Sequence, residues 1–299
     1  MRTKQKQKLM GQGIMGEDRL ITTADGRHLR AMVRGSGPNL VVLDAGLAAN
    51  GFCWGTVQKL IADQLPDAQI VAYNRAGMGG SDPDPQPRTL ARMSDDLDDV
   101  INSFVPQKVF LVGHSWGGTL ALFNAARRVA HGRPIDGIVL VDHSAEDADL
   151  YSNKIVKMVC AVTPIALRLL DKLKIAKWVL GAMGDGLPKP IRAAAIAGSS
   201  STDALNESAA EADVFVSELE WLRTQPLPLD GVDVCVITGM KVPTLLAKFR
   251  QPLVESHQRL ARNVRTGRWV PATKSAHTIP ATEPELIANQ AAEMVIRAQ

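Results

Sequence analysis

Ser115, His277 and Asp142 are the residues of this chain whose types and settings suit them to act together. Ser115 stands in Gly113-His114-Ser115-Trp116-Gly117, a G-x-S-x-G pentapeptide. The apolar run Val109-Phe110-Leu111-Val112 precedes it and a helix-like segment follows. In a strand–turn–helix setting this pattern lifts a serine hydroxyl out of the sheet on a tight turn. A serine hydroxyl is a poor nucleophile near neutral pH. It needs a base within hydrogen-bond reach, and that base needs an orienting partner.

Six histidines compete for the base. His28 falls in a hairpin signal, His131 at a helix end, His143 just after a strand and His257 inside a helical pattern. His114 adjoins the nucleophile, and the tight turn swings neighbouring side chains apart. His277 lies in Ser275-Ala276-His277-Thr278-Ile279-Pro280, between the last strand signal (268–270) and a final helix. A loop at the carboxyl edge of a parallel sheet is where a base reaches such a serine, so His277 is the expected base.

The orienting acid has two settings to choose from. The loop after the strand signal 233–238 reads Gly239-Met240-Lys241-Val242-Pro243 and holds no carboxylate. One strand earlier, 137–141 runs into Asp142, with Glu146 and Asp147 just beyond. Asp142 is the expected acid, with Glu146 and Asp147 as alternatives. Acyl chemistry also needs two donors aimed at the developing oxyanion. The backbone N–H of Trp116, next to the nucleophile, is one. Asp44-Ala45-Gly46-Leu47-Ala48 offers the other, because Gly46 lets the chain bend and aim the Leu47 N–H inward.

The elements that must position these groups read as an alternation. Apolar runs at 40–43, 69–73, 109–112, 137–141 and 233–238 are rich in Val, Ile and Leu without polar alternation, as for parallel strands buried on both faces. Between them, Val57, Leu60, Ile61 and Leu65 keep helical spacing, as do Met93, Leu97, Val100, Ile101 and Phe104. Asp25-Gly26 between 19–23 and 28–34 signals a hairpin. Thr282-Glu283-Pro284-Glu285 signals a capping box opening the last helix. The expectation is an α/β fold: a mostly parallel sheet flanked by helices, with core segments 19–146 and 229–299. Residues 1–18 read as a mobile polar lead-in, and their Gly11-x-Gly13-x-x-Gly16 lacks the strand and helix that a dinucleotide site requires.

Residues 147–228 break the rhythm as several helices without a strand, expected to form a cap inserted over the sheet. Their charge is split: 151–192 hold eight basic and two acidic residues, whereas 201–221 hold six acidic and no basic ones. Two mutually attracting helical layers account for this. A sharper reading has the basic helix touching a lipid surface or an anionic substrate.

Bulk properties exclude other classes. A net charge of +3 on 299 residues is too balanced for a nucleic-acid binder. Cys53, Cys160 and Cys235 lie far apart and suit reduced thiols in a cytoplasmic protein, with neither a disulfide framework nor a metal site. The basic start, 1–8, leads into no apolar core of a secretory signal.

Taken together, the Gly46-Leu47 turn, Arg75-x-Gly77-x-Gly79-x-Ser81, the 113–117 pentapeptide and the 275–280 loop resemble the α/β-hydrolase superfamily, from about Arg19 onward apart from the cap. The resemblance implies Ser115 as nucleophile, His277 as base, and Leu47 and Trp116 as oxyanion donors. Haloalkane dehalogenases in that superfamily carry the acid after the strand before the cap, which supports Asp142, but they have Asp where this chain has Ser115. The common His-Gly of the oxyanion loop is Ala45-Gly46 here. The expected activity is hydrolysis of carboxylic esters of a fairly apolar small molecule, without cofactor. Lactone or C–C hydrolysis, acyl transfer, cofactor-free peroxidation, or a ligand receptor reusing the pocket remain alternatives. The sequence leaves the oligomeric state open.

Overall fold

A computed structural model describes residues 12–181, 186–242 and 247–299. Among them runs one sheet of nine strands: β1 (Gln12–Gly13), β2 (Gly16–Thr22), β3 (His28–Arg34), β4 (Asn39–Asp44), β5 (Ala68–Tyr73), β6 (Lys108–His114), β7 (Gly137–Val141), β8 (Asp233–Gly239) and β9 (Arg268–Ala272). Their spatial order is β1-β2-β3-β5-β4-β6-β7-β8-β9. Strands β1, β2 and β3 meander antiparallel, and β3 joins β5 antiparallel. From β5 to β9 every pairing is parallel.

Every residue of β4 and β7 is buried, as their uninterrupted apolar character requires. Helices cover both faces. On one side lie α1 (Gly55–Gln64), through Val57 and Ile61, and the C-terminal helix Pro284–Ala298, through Ile287, Ala291 and Val295. On the other lie α2 (Leu90–Asn102) and α3 (Trp116–Ala130). Helix α2 buries Leu90, Met93, Leu97, Val100 and Ile101, one helical stripe, and Thr89 caps it by accepting from the Arg92 N–H. Each such side chain taken from water contributes about 1.5–3 kcal/mol.

Between β7 and β8 the chain forms a 3-10 turn (Asp149–Ser152) and helices α4 (Lys154–Leu173), α5 (Ala176–Gly181), α6 (Lys189–Ser199) and α7 (Thr202–Leu222). Helix α4 packs along α7, and Lys157–Glu220 and Arg168–Asp213 pairs cross between them. The opposed charges of the two segments therefore meet in part as expected. The remaining helices are α8 (Ala247–Asn263), α9 (Ile279–Thr282) and α10 (Pro284–Ala298).

Two local expectations change. The lead-in ends earlier than residue 18: β2 starts at Gly16, Met15 is fully buried and Asp18 receives the Arg30 guanidinium at 2.9 Å. Of the glycines in 11–16, Gly11 lies outside the described residues, and Gly13 pairs with Gly16 across the first hairpin. Helix α10 begins with Pro284 as expected, but no capping box forms. Glu283 occupies the cap without a side-chain bond to the helix, because Thr282 closes α9 and bonds Ser275 and Thr278 instead.

Candidate active site

Strand β6 delivers Ser115 to the carboxyl edge of the sheet, and α3 starts one residue later. Ser115 has φ 53 and ψ −121, a conformation L-residues avoid and one that marks functional sites when the surroundings enforce it. The enforcement is visible. The Ser115 N–H donates to Val141 O at 3.0 Å, and Ser115 O accepts from the Gly118 N–H at 3.0 Å. A Cβ on Gly117 would lie 2.3 Å from Ala45 O, so only glycine admits this approach of helix to strand.

Three loops at this edge bring the expected groups together. His277 Nε2 lies 3.1 Å from Ser115 Oγ, and its Nδ1 lies 2.7 Å from Asp142 Oδ2. The carboxylate can only accept, so Nδ1 carries the proton and Nε2 is left as acceptor for the serine O–H. Ser115 is half-buried and His277 exposed, so the hydroxyl is open to solvent-borne molecules.

Asp142 sits directly after β7 with φ 48, a second non-glycine residue in left-handed conformation. Burial by itself would raise its carboxyl. Hydrogen bonds from His277 and Arg250 outweigh that and hold it well below the usual carboxylate range. The Gly239 N–H also donates to Asp142 Oδ1 at 3.0 Å. Glu146 and Asp147 take no part in this chain. Asp147 bonds Ser256 and Arg259, and Glu146 Oε2 is buried without a partner among the described residues.

The 44–48 loop passes close over Ser115. A Cβ on Gly46 would stand 3.2 Å from both Ser115 Cβ and His114 Nδ1. Among the described residues, neither the Leu47 N–H nor the Trp116 N–H has a hydrogen-bond partner. Arg75 fixes this loop from below: its guanidinium donates to Ala45 O and Gly46 O and pairs with Asp44 and with Glu211 of α7. All three charged groups are buried. The Arg75 loop thus holds the 44–48 loop through these hydrogen bonds and ties it to α7.

Sequence reasoning missed two further contacts. Arg250 on α8 grips Asp142 with both terminal nitrogens, Nη1 at 2.8 Å. No local pattern around Arg250 announces this, because its partner lies 108 residues away. His114 Nε2 lies 2.8 Å from His277 O, and a carbonyl only accepts, so His114 donates there. Burial, then the nearby His277, pushes the His114 imidazole down to about 3, so it stays neutral and adds no charge beside the base. Of the other histidines, His143 and His257 are buried and stacked at 4.4 Å, away from solvent.

Helix α7 brings apolar side chains to this edge. Phe215 of α7 meets Trp116 at 4.9 Å and Tyr151 at 5.5 Å between ring centroids, and Leu47 and Ala48 pack against Leu205 and Ala209. Among the described residues no three His, Cys, Asp or Glu side chains group as a metal site, and no helix is long and apolar enough to cross a membrane.

A family model described as "Alpha/beta hydrolase family" matches residues 40–290, more than four-fifths of the chain. The chain belongs to the alpha/beta hydrolase family. This hydrolase is 33% identical over 106 residues to a Caulobacter vibrioides protein named "Putative carbamate hydrolase RutD". That match takes in 34% of this chain and 38% of the relative. Solved structures similar to this alpha/beta hydrolase include an epoxide hydrolase, CorEH, with TM-score 0.71 at 15% identity, covering 94% of this chain and 99% of that one. An esterase from Exiguobacterium antarcticum gives TM-score 0.66 at 21% identity, covering 95% and 99%. At these identities the likeness concerns the fold.

Proposed function

We propose that the protein is a serine hydrolase of carboxylic esters with a fairly apolar acyl or alcohol group. The observation that carries this is the Ser115–His277–Asp142 hydrogen-bond chain, 3.1 Å and 2.7 Å long in its two links. Ser115 Oγ attacks the ester carbonyl while His277 Nε2 takes its proton. Asp142 keeps the imidazole in the required tautomer and offsets its positive charge. The N–H groups of Leu47 and Trp116 receive the oxyanion, each worth about 3 kcal/mol. His277 returns the proton to the departing alkoxide, leaving an acyl ester on Ser115. Water then repeats the cycle, giving up a proton to His277, and the acid product leaves with Ser115 restored.

Epoxide opening suits this nucleophile poorly. Attack by Ser115 Oγ on an epoxide carbon would leave an ether, which water does not cleave under these conditions. Turnover by that route needs a carboxylate nucleophile, and position 115 holds a hydroxyl. A carbamate has a carbonyl that the same triad can attack, and the 33% identity to a protein named for carbamate hydrolysis favours it as the second reading.

The test is a panel of p-nitrophenyl esters of increasing acyl length beside a p-nitrophenyl carbamate. Ester turnover by the wild type and its fall by a factor on the order of 10⁶ in Ser115→Ala are expected. A fluorophosphonate should label Ser115. Unlabelled Ser115 together with no turnover on any of these substrates would refute the proposal.

A further inference from the structure

Helix α4 turns its apolar face outward. Met158, Val162, Ile165, Leu169 and Leu173 are each at least half exposed, and Trp178 on α5 is 83% exposed. At 100° per residue the exposed apolar side chains of α4 share an arc roughly 120° wide, the breadth of a stripe made for burial. Its opposite face is already used: Pro164 and Leu167 are buried, and Leu167 packs with Leu205 and Ala209 of α7. Nine of the fourteen large hydrophobic residues exposed among the described residues fall between Ile155 and Trp178. Such concentration marks an interaction surface rather than scattered surface apolarity.

Charge says what covers it. Lys154 flanks the stripe at one end, and Lys172 and Lys177 at the other, all exposed, with Lys174 beside them paired to Asp171 at 2.8 Å. Lys157 and Arg168 turn to Glu220 and Asp213 of α7 instead. A two-fold pairing of this helix with a second copy would set lysine clusters against each other in either orientation, at an electrostatic cost. An anionic lipid surface suits both features. Headgroups attract the lysines, the stripe enters the acyl boundary, and a tryptophan sits where aromatic rings settle at a membrane interface. We propose that α4 and the start of α5 form a peripheral docking face for anionic membranes, lying in the plane of the interface rather than crossing it. A 20-residue helix presents about 30 Å of such face.

The test reads binding, not turnover, so it stands apart from the catalytic proposal. The full chain is sedimented with vesicles of phosphatidylcholine alone and of phosphatidylcholine with phosphatidylserine. Binding about tenfold tighter to the anionic vesicles is expected, falling as salt rises. An Ile165→Glu, Leu169→Glu double variant should lose at least about tenfold of it, while its circular dichroism and melting temperature stay unchanged, since both positions face solvent. A blue shift of tryptophan fluorescence on adding anionic vesicles should vanish in Trp178→Phe. Absence of binding to anionic vesicles at low salt would overturn the proposal, as would equal binding by the double variant. A dimer in sedimentation that the double variant converts to monomer would show a second copy covering the stripe, and would overturn it too.

Discussion

Arg250 shares the Asp142 carboxylate with His277. Its Nη1 lies 2.8 Å from Oδ2, the oxygen that also accepts from His277, and its Nη2 reaches Oδ1. The same guanidinium donates to Gly239 O at 2.7 Å, so α8 and the end of β8 share in aiming the acid. The His277 hydrogen bond and this two-point grip together keep Asp142 ionised despite burial. Because its folded-state pKa is depressed, the stabilisation it gives is complete above the ordinary carboxylate range, near pH 4, and is lost as pH falls through the folded value. Arg250→Met should let Asp142 take up a proton at higher pH. The acid limb of kcat/KM should then move upward and activity fall by roughly 10- to 100-fold, with partial rescue in Arg250→Lys. A lower melting temperature with an unmoved pH profile would leave Arg250 a structural role only.

Asp142→Asn keeps the shape of the acid but offers His277 an amide. If the amide presents N–H toward Nδ1, the imidazole adopts the wrong tautomer for taking the serine proton. Turnover should fall by about 10³- to 10⁴-fold with KM little changed. Steady-state kinetics on a p-nitrophenyl ester, with circular dichroism as the check on folding, measures this. Near-normal turnover would remove Asp142 from the mechanism.

Arg75 and Glu211 join the 44–48 loop to α7 through a fully buried ion pair. Removing Glu211 leaves Arg75 with Asp44, at 2.6 Å, as its remaining buried counter-charge and two donors unpaired, at a cost of about 1–3 kcal/mol. Glu211→Ala should therefore lower the unfolding free energy by that order in urea titration. It should also reduce kcat more than it changes KM, because the loop bearing the Leu47 N–H loses one of the charges that anchor Arg75. Unchanged kcat in a destabilised variant would separate the α7 anchor from the 44–48 loop.

Glu146 is largely buried, and burial pushes its carboxyl up to about 7. A raised acid holds its proton in the folded state where the unfolded chain has already released it. Its contribution to stability therefore declines as pH rises from about 4.5 to 7 and stays low above that. Glu146→Gln should leave stability nearly unchanged at pH 4.5 and raise it at pH 8, by on the order of 2 kcal/mol. Melting temperatures at the two pH values decide this.

The sequence by itself determined the parallel strands of the sheet, the tight turn that carries Ser115 and the loop that carries His277. Short β-branched and Leu runs bounded by turn residues read as strands buried on both faces, and the glycines around Ser115 permit a backbone approach that any Cβ would block. Such signals are local, carried by neighbouring residues. For the acid, the sequence favoured Asp142 at the tip of β7 and kept Glu146 and Asp147, a few residues on, as alternatives. What only the tertiary structure shows is which of them meets the histidine: Asp142 faces His277, while Asp147 turns to Ser256 and Arg259. It also decided the roles of Arg250, Arg75 and His114, whose partners lie across the fold. A charged side chain announces its charge in the sequence. Which opposite charge it meets depends on how loops and helices converge at the sheet edge, and no stretch of neighbouring residues encodes that.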